Sequence, residues 1–252
     1  MSRRLEGKVA IVTGGASGFG RGIATKFVQE GAKVIVADLS ADGGNAVVQE
    51  LGSAAVFQKG DVTKREDWET LLKVAKELGG LDIVINNAGA TYSNKPTETV
   101  TEKDFDLCFN VNVKSIWLST SVILPYLLES SRTCVFINVA STAGVRPRPG
   151  LAWYNASKAA VINATKSLAI EYGPKQIRFN SIAPVFGSGT GLSHLFLGKE
   201  DTEENRAGFI ATVPLGRGST PADIANACTY LASDEASLVT GVNLEVDGGR
   251  CI

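Results

Sequence analysis

A single histidine, His194, and four scattered cysteines leave this chain poorly equipped for transition-metal chemistry. Cys108, Cys134, Cys228 and Cys251 form no CxxC pair, so no metal is expected and free thiols in a reducing compartment are the natural reading. With one histidine, a Ser-His-Asp hydrolase would have to be built on His194, and no nucleophile-elbow spacing accompanies it. Excess charge is also missing: 25 Lys and Arg stand against 26 Asp and Glu, with no basic block or tail, which argues against nucleic acid as the main partner. The apolar run near the start, Val9 to Val12, is far too short for a signal peptide and runs into glycines. No segment is read as a membrane span, so a cytoplasmic protein with no membrane partner is expected.

What is present is a globular composition, 44% hydrophobic and 20% charged over 252 residues, enough for one large core. Short β-branched runs at 8–13, 33–37, 54–58, 82–86, 134–138, 177–182 and 243–246 read as strands. Several are almost continuously apolar, as strands of a parallel sheet covered on both faces should be. Helical periodicity falls between them at 18–30, 41–51, 64–78, 102–129, 152–172 and 221–232. Ser40, Thr63, Thr101 and Thr220 read as N-caps, and Gly31, Gly52, Gly79 and Gly173 as stops. Repeated βα units imply an α/β fold, a parallel sheet with helices on both faces and right-handed crossovers. Nothing divides the chain, so residues 1–252 read as one domain. The least patterned stretch, about 184–215, reads as a substrate-binding loop or lid.

The first strand runs directly into TGGASGFG at 13–20 and then into a helix. Gly14, Ser17, Gly18, Phe19 and Gly20 of that turn would let the backbone approach a pyrophosphate, with the helix N-terminus supplying free N–H groups. Asp38 ends the second strand about 20 residues further on, where a carboxylate accepts from both hydroxyls of an adenosine ribose. It would repel a 2′-phosphate, and no Arg or Lys lies in 14–20 or directly after it, so NAD is favoured over NADP. Asp61 and Val62 follow the third strand, placed to meet the adenine. Asn87, Ala88 and Gly89 follow the fourth, and Asn86 beside them reads as largely structural. All lie where the carboxyl ends of strands would gather.

In YNASK, Tyr154 and Lys158 stand four apart on one helical face. An unperturbed tyrosine titrates near ~10 and is a poor base at neutral pH, so the adjacent ammonium, together with the positive nicotinamide ring of an oxidised NAD, is the expected means of lowering it. Asn155, Ala156 and Ser157 read as spacers, and Trp153 as a packing residue.

These motifs, with the Asn of FNVNVKS, the Ser of NVASTAG, the IRFNSIAP segment and the closing TGVNLEVDGG, resemble the classical short-chain dehydrogenase/reductase family from about residue 5 to 252. The resemblance implies a single-domain Rossmann fold, a doubly wound seven-stranded parallel sheet of order 3-2-1-4-5-6-7. It also implies a homotetramer, or a homodimer, packed through 102–129, 152–172 and the C-terminal segment. The activity implied is hydride transfer between a nicotinamide cofactor and a small-molecule secondary alcohol or ketone. Tyr154 would be general acid/base and Ser141 the hydrogen-bond partner of the substrate oxygen. Lys158 would reach the nicotinamide ribose, and Asn112, rather than its neighbour Asn110, would hold a proton-relay water. Pro184 and Val185 would contribute backbone beside the carboxamide. After them the chain departs from the usual pattern: Val185 replaces a Gly, and Thr190 stands six past Pro184 instead of five. Val145, Phe186, His194 and Phe196 are expected in a mainly apolar substrate pocket. Arg146 and Arg148 could meet an anionic substrate, though arginine in a proline-rich turn is more often solvated. A 3-oxoacyl thioester, a polyol or sugar, and a catalytically silent NAD-binding scaffold remain alternatives.

Overall fold

A computed structural model describes residues 3–187, 191 and 193–252. Seven strands, all parallel to their neighbours, form one sheet of order β3-β2-β1-β4-β5-β6-β7. They are β1 (Val9–Thr13), β2 (Lys33–Asp38), β3 (Ala55–Lys59), β4 (Ile83–Asn86), β5 (Cys134–Val139), β6 (Ile177–Pro184) and β7 (Asn243–Val246). The helices are α1 (Gly18–Gln29), α2 (Ala41–Leu51), α3 (Arg65–Glu77), α4 (Glu102–Phe109), α5 (Ser115–Glu129), α6 (Ala152–Tyr172), α7 (Ser193–Leu197), α8 (Glu203–Ile210) and α9 (Pro221–Ala232).

The period of two in each strand divides the core into two layers. Ala10 and Val12 of β1, Val34 and Val36 of β2, and Val135 and Ile137 of β5 face one way, packing with Ile23 and Phe27 of α1 and Ile224 of α9. Val9, Ile11, Ile35 and Phe136 face the other, against Trp68 and Leu71 of α3 and Leu118, Leu124 and Leu127 of α5. Because both faces are covered, β1 and β4 are buried throughout, which explains their sequences being apolar up to a closing Thr13 and Asn86. The chain leaves β1 outward to β2 and β3, then returns to β4 on its other side. That reversal opens a crevice at the carboxyl ends of β1 and β4, the switch point where such sheets bind ligands.

Four local expectations need correction. The segment 102–129 is helical throughout but not uniformly α: Asn110–Lys114 is a π turn. The Ser115 N–H reaches back to the carbonyl of Asn110, five residues earlier, and the Ser115 hydroxyl donates to the Val111 carbonyl at 2.6 Å in its place. This continuous helix, Glu102–Glu129, is also long and apolar enough to cross a membrane by length and composition. Half of the window is buried in the protein's own interior, as expected of a core helix. Thr63 does not cap α3, which starts after Lys64; its hydroxyl donates instead to Asp61 Oδ1 at 2.7 Å. Finally, the chain leaves α6 through a left-handed Gln176, φ 59°, with Gly173 still helical.

Thr101 and Thr220 do cap their helices, each in a reciprocal box with Asp104 or Asp223. The stretch after β6 is more regular than its sequence suggested, holding α7 and α8. Thr190 lies outside the described residues.

Candidate active site

The glycine turn is shaped by steric necessity. A Cβ at Gly20 would land on the carbonyl oxygen of Gly14, and one at Gly14, where φ is +63°, would meet Asn87 Nδ2 at 2.9 Å. The backbone of 14–20 can therefore lie close against β4, leaving the N-terminus of α1 open to the crevice. The turn is held from both sides. The Thr13 hydroxyl donates to the Ile85 carbonyl (3.1 Å) and accepts from the N–H groups of Asn87 and Ala88 (both 3.0 Å). Asn87 Nδ2 donates to the Thr13 carbonyl at 2.8 Å. Asp38 takes the Ala16 N–H on one carboxylate oxygen (3.0 Å) and the Ser40 N–H on the other (2.9 Å). That fixes its rotamer at the rim and leaves each oxygen a lone pair.

Asn86 is structural. Its Nδ2 donates to Asn138 Oδ1 (2.8 Å) and Ser119 Oγ (3.2 Å), and Asn138 continues the buried chain to Thr165.

Around the crevice runs a cleft of about 500 Å³. Gly14, Ser17, Gly18, Phe19, Asp38, Asp61, Val62, Asn87, Ala88 and Gly89 border one end. Ser141, Tyr154, Lys158, Pro184, Val185, Phe186 and Phe196 border the other. The residues read from sequence as a dinucleotide site and as a reacting site thus share one continuous space. Gly20 lies just beneath it, buried. The glycine cradle, the Asp38 carboxylate and the open helix end fit a nicotinamide dinucleotide. The Val185 N–H already points to the Val246 carbonyl at 3.3 Å, so backbone contact from Val185 to a ligand falls to its own carbonyl. Val145 and His194 are exposed and stand outside the lining. Trp153, expected to be packed away, is 40% exposed, its ring edge-on to Phe105.

Tyr154 and Lys158 are both almost wholly buried. The Ser141 hydroxyl, at the start of a 3₁₀ turn after β5, accepts the Ala143 N–H at 3.1 Å and acts on the Tyr154 phenol in favour of its phenolate. Lys158 Nζ donates to the Val139 carbonyl at 2.8 Å and lies 5.9 Å from the Tyr154 ring centre. Burial pulls Lys158 down to about 8. It pushes the Tyr154 phenol above its usual 10, and Ser141 is the neighbour that works against that rise. Lys158 was expected to lower the phenol together with a positive nicotinamide ring; within the protein itself burial is the largest influence and raises it, and the ammonium is turned toward Val139.

Asn112 sits in the π turn, buried, and both of its carboxamide donors are used. Oδ1 accepts the Ala90 N–H, and Nδ2 donates to the Ala90 carbonyl and to Ser157 Oγ, all at 2.9 Å. Asn110 is exposed. Ser157, read as a spacer, passes the link on to the Tyr154 carbonyl at 2.7 Å. Asn155, also read as a spacer, is buried and donates to the Arg148 carbonyl at 2.8 Å. Sequence reading missed Phe209, which lines the cleft 5.4 Å from Phe186, and Cys108, whose thiol is pushed up to about 11 by burial. Neither lies in a motif; helical periodicity around 203–210 was the only available signal for Phe209.

Among the described residues, Glu245, Asp247 and Cys251 form one group whose ligand atoms lie within 4.8 Å of one another. The Asp247 oxygens in it are engaged by the N–H groups of Gly249 and Cys251.

This fold and cleft define a nicotinamide-dependent oxidoreductase. A family model described as enoyl-(acyl carrier protein) reductase matches residues 14–250. The chain is 49% identical to a 4-formylbenzenesulfonate dehydrogenase of Comamonas testosteroni, over 98% of this chain and 99% of that one. It is 35% identical to a 3-oxoacyl-[acyl-carrier-protein] reductase of Thermotoga maritima, over 99% of this chain and all of that one. A crystal structure of 3-ketoacyl-(acyl-carrier-protein) reductase from Brucella melitensis complexed with NADH superposes with a TM-score of 0.92 at 41% identity. It matches 98% of this chain and 100% of that one. The chain belongs to the classical short-chain dehydrogenase/reductase family.

A buried ammonium whose folded pKa lies below its usual 10.5 costs the folded state stability at every pH below about 8, and the cost fades as pH rises from 8 to 10.5. Lys158→Met should therefore raise thermal stability at pH 7, by roughly 1–3 kcal/mol before the lost bond to Val139 is counted. The gap from wild type should close above pH ~10 in melting curves taken across that range. A variant that melts lower than wild type at pH 7 would refute the reading.

Proposed function

We propose that this chain is an NAD-dependent dehydrogenase that interconverts an alcohol and its carbonyl partner, with Tyr154 exchanging the hydroxyl proton. The observation that carries this reading is the grouping of Ser141, Tyr154 and Lys158 at one end of a cleft whose other end is the glycine cradle. The nicotinamide, when bound, supplies the hydride acceptor or donor. The protein's task is to position the substrate and manage its proton.

With burial holding the phenol neutral, Tyr154 is poised to donate to a carbonyl oxygen, the direction of reduction. Ser141, beside Tyr154 in the cleft lining, is the proposed donor to the same oxygen as it gathers charge. Lys158, at about 8, carries its proton through neutral pH and lies behind the phenol for the nicotinamide ribose. Asn112 is the proposed holder of a relay water. Since its carboxamide donors are spent on Ala90 and Ser157, that water would have to use a carbonyl oxygen. Asp38 supports NAD over NADP: its carboxylate is fixed at the rim, and Arg21 of α1 is committed to Glu50 at 2.7 Å.

Phe186, Phe196 and Phe209 make the substrate end apolar and aromatic, which speaks for an aryl aldehyde or aryl alcohol over a polyol. The 49% identical formylbenzenesulfonate dehydrogenase points the same way. A 3-oxoacyl thioester is the second reading, favoured by the likeness to the NADH-complexed reductase. The four free thiols are in keeping with the cytoplasm.

A homotetramer or homodimer is supported by exposed Trp117 and Leu128 on α5, Trp153 and Ile170 on α6, and Leu238, Val242 and Ile252 in the C-terminal part. Light scattering should give a mass of two or four chains, and a monomer would overturn this.

Tyr154→Phe should lower kcat for benzaldehyde reduction by at least about 100-fold while NADH binds within about twofold of wild type. Retained turnover in that variant would defeat the proposed role. Wild type should prefer NADH to NADPH in kcat/KM, and Asp38→Ala should erode that preference by on the order of tenfold or more. A wild-type preference for NADPH would defeat the reading of Asp38.

A further inference from the structure

We infer that the substrate end of the cleft holds an anion subsite, formed by Arg148 beside Phe209 with Arg250 behind, and that the substrate carries a carboxylate or sulfonate on a flat apolar body. The inference rests on the dehydrogenase reading of the cleft and goes beyond it by naming what holds the far end of the substrate.

Arg148 borders the cleft, and its guanidinium lies 4.4 Å from the Phe209 ring centre. Its loop is pinned rather than free. Asn155 donates to the Arg148 carbonyl, Asn94 Nδ2 to the Pro149 carbonyl at 3.0 Å, and Lys95 N–H to the Gly150 carbonyl at 3.1 Å. Arg250 approaches the same ring, 5.7 Å from its centre. It is 9% exposed, and its Nε and Nη1 are buried with no hydrogen-bond partner.

A buried guanidinium with two unused donors is costly unless something accepts from it. No carboxylate among the described residues does so. Among the described residues no ion pair reaches Arg146, Arg148 or Arg250. Asp247, whose charge favours the Arg250 cation, spends its oxygens on the N–H groups of Gly249 and Cys251. Arg146 adds a third cation and donates to the Arg250 carbonyl at 2.6 Å. Burial first and a neighbouring arginine second, Arg250 for Arg148 and Arg146 for Arg250, disfavour the two charges, a penalty that a bound oxyanion would relieve.

Aromatic contacts bridge this cluster to the reacting phenol. Phe196 meets Tyr154 edge-on at 5.1 Å, and Phe186, Phe196 and Phe209 pack in one cluster with Val185 and Val213. A substrate spanning phenol and guanidinium therefore presents an apolar middle and an anionic end, with Arg148 suited to a bidentate grip on a planar carboxylate.

The test compares 4-formylbenzoate with the neutral isostere 4-formylbenzamide on the purified full chain. Dissociation constants are measured calorimetrically with NAD present, and kcat/KM with NADH. Wild type should bind the carboxylate at least about tenfold more tightly than the amide, as a charge-assisted pair implies. Arg148→Gln should bring that ratio near one, and Arg250→Gln should lower it severalfold. Equal binding of the two probes by wild type, binding of neither, or an unchanged ratio in R148Q would each overturn the subsite. Should R148Q not fold, the ratio in R250Q decides by the same criterion. Preferred binding of the carboxylate without turnover of either aldehyde would uphold the subsite and defeat the dehydrogenase reading. Equal affinity with turnover of both would do the reverse.

Discussion

The carboxamide of Asn112 joins three segments that the sequence keeps far apart. It clasps both backbone groups of Ala90, beyond β4, and reaches Ser157 on α6 from the middle of the α4–α5 helix. It can do so because the helix widens by one residue at Asn110–Lys114, and Ser115 meets the bonding that the π turn displaces. Gly89 lies at the junction, where a Cβ would stand in ordinary contact with both Asn112 Oδ1 and Lys158 Nζ, at 3.4 Å. The turn carrying Tyr154 and Lys158 is thus set against the end of β4 by the Asn112 hydrogen bonds. Apolar packing tolerates small slides; a carboxamide using both donors and an acceptor does not.

That clasp allows the molecule to concentrate its unfavourable groups on one edge. Two apolar layers cover the sheet, while the carboxyl ends of its strands carry a buried ammonium, a buried phenol and two guanidinium groups, of which Arg250 has buried nitrogens without partners. Each is disfavoured by desolvation, and each is held by neighbours that have no freedom to move away. The apolar layers offset this cost, and a bound anionic substrate would offset more of it. Such a distribution is expected where stability is exchanged for a site ready to act.

Most of the fold was legible because its signals are local. Strand runs and helix periods mark elements wherever burial follows a simple repeat, and all seven strands fell within a residue or two of their expected positions. The nucleotide turn was legible because glycine is demanded there by contact, as at Gly20. What escaped depends on three-dimensional neighbours. Nothing in FNVNVKS announces a π turn, since its cause is a hydroxyl taking over one carbonyl. Ser157 and Asn155 looked like spacers because their partners, Asn112 and the Arg148 carbonyl, lie distant in sequence. The depth at which Tyr154 is buried also escaped, because an i, i+4 pairing says nothing about it or about Val139 as a rival for the ammonium.

The two ends of the cleft are specified by different kinds of interaction, and this explains how much each reveals. The dinucleotide end is backbone: N–H groups, glycine contacts and one carboxylate, all positioned by strand ends. Such an arrangement repeats wherever the topology repeats, so it identifies a family and little more. The substrate end is side chain: Phe186 after β6, Phe209 on α8, Arg148 on a pinned loop and Arg250 near the C-terminus. These four come from separate stretches of chain, and no topological rule requires them. An arginine pair kept short of carboxylates in a protein with nearly balanced charge is therefore a property of this chain rather than of its fold. Proton transfer by a neutral phenol needs only a carbonyl oxygen in reach, and many molecules could bring one. The guanidinium groups narrow that choice, because a neutral substrate would leave their desolvation unrelieved while an anionic one converts it into binding.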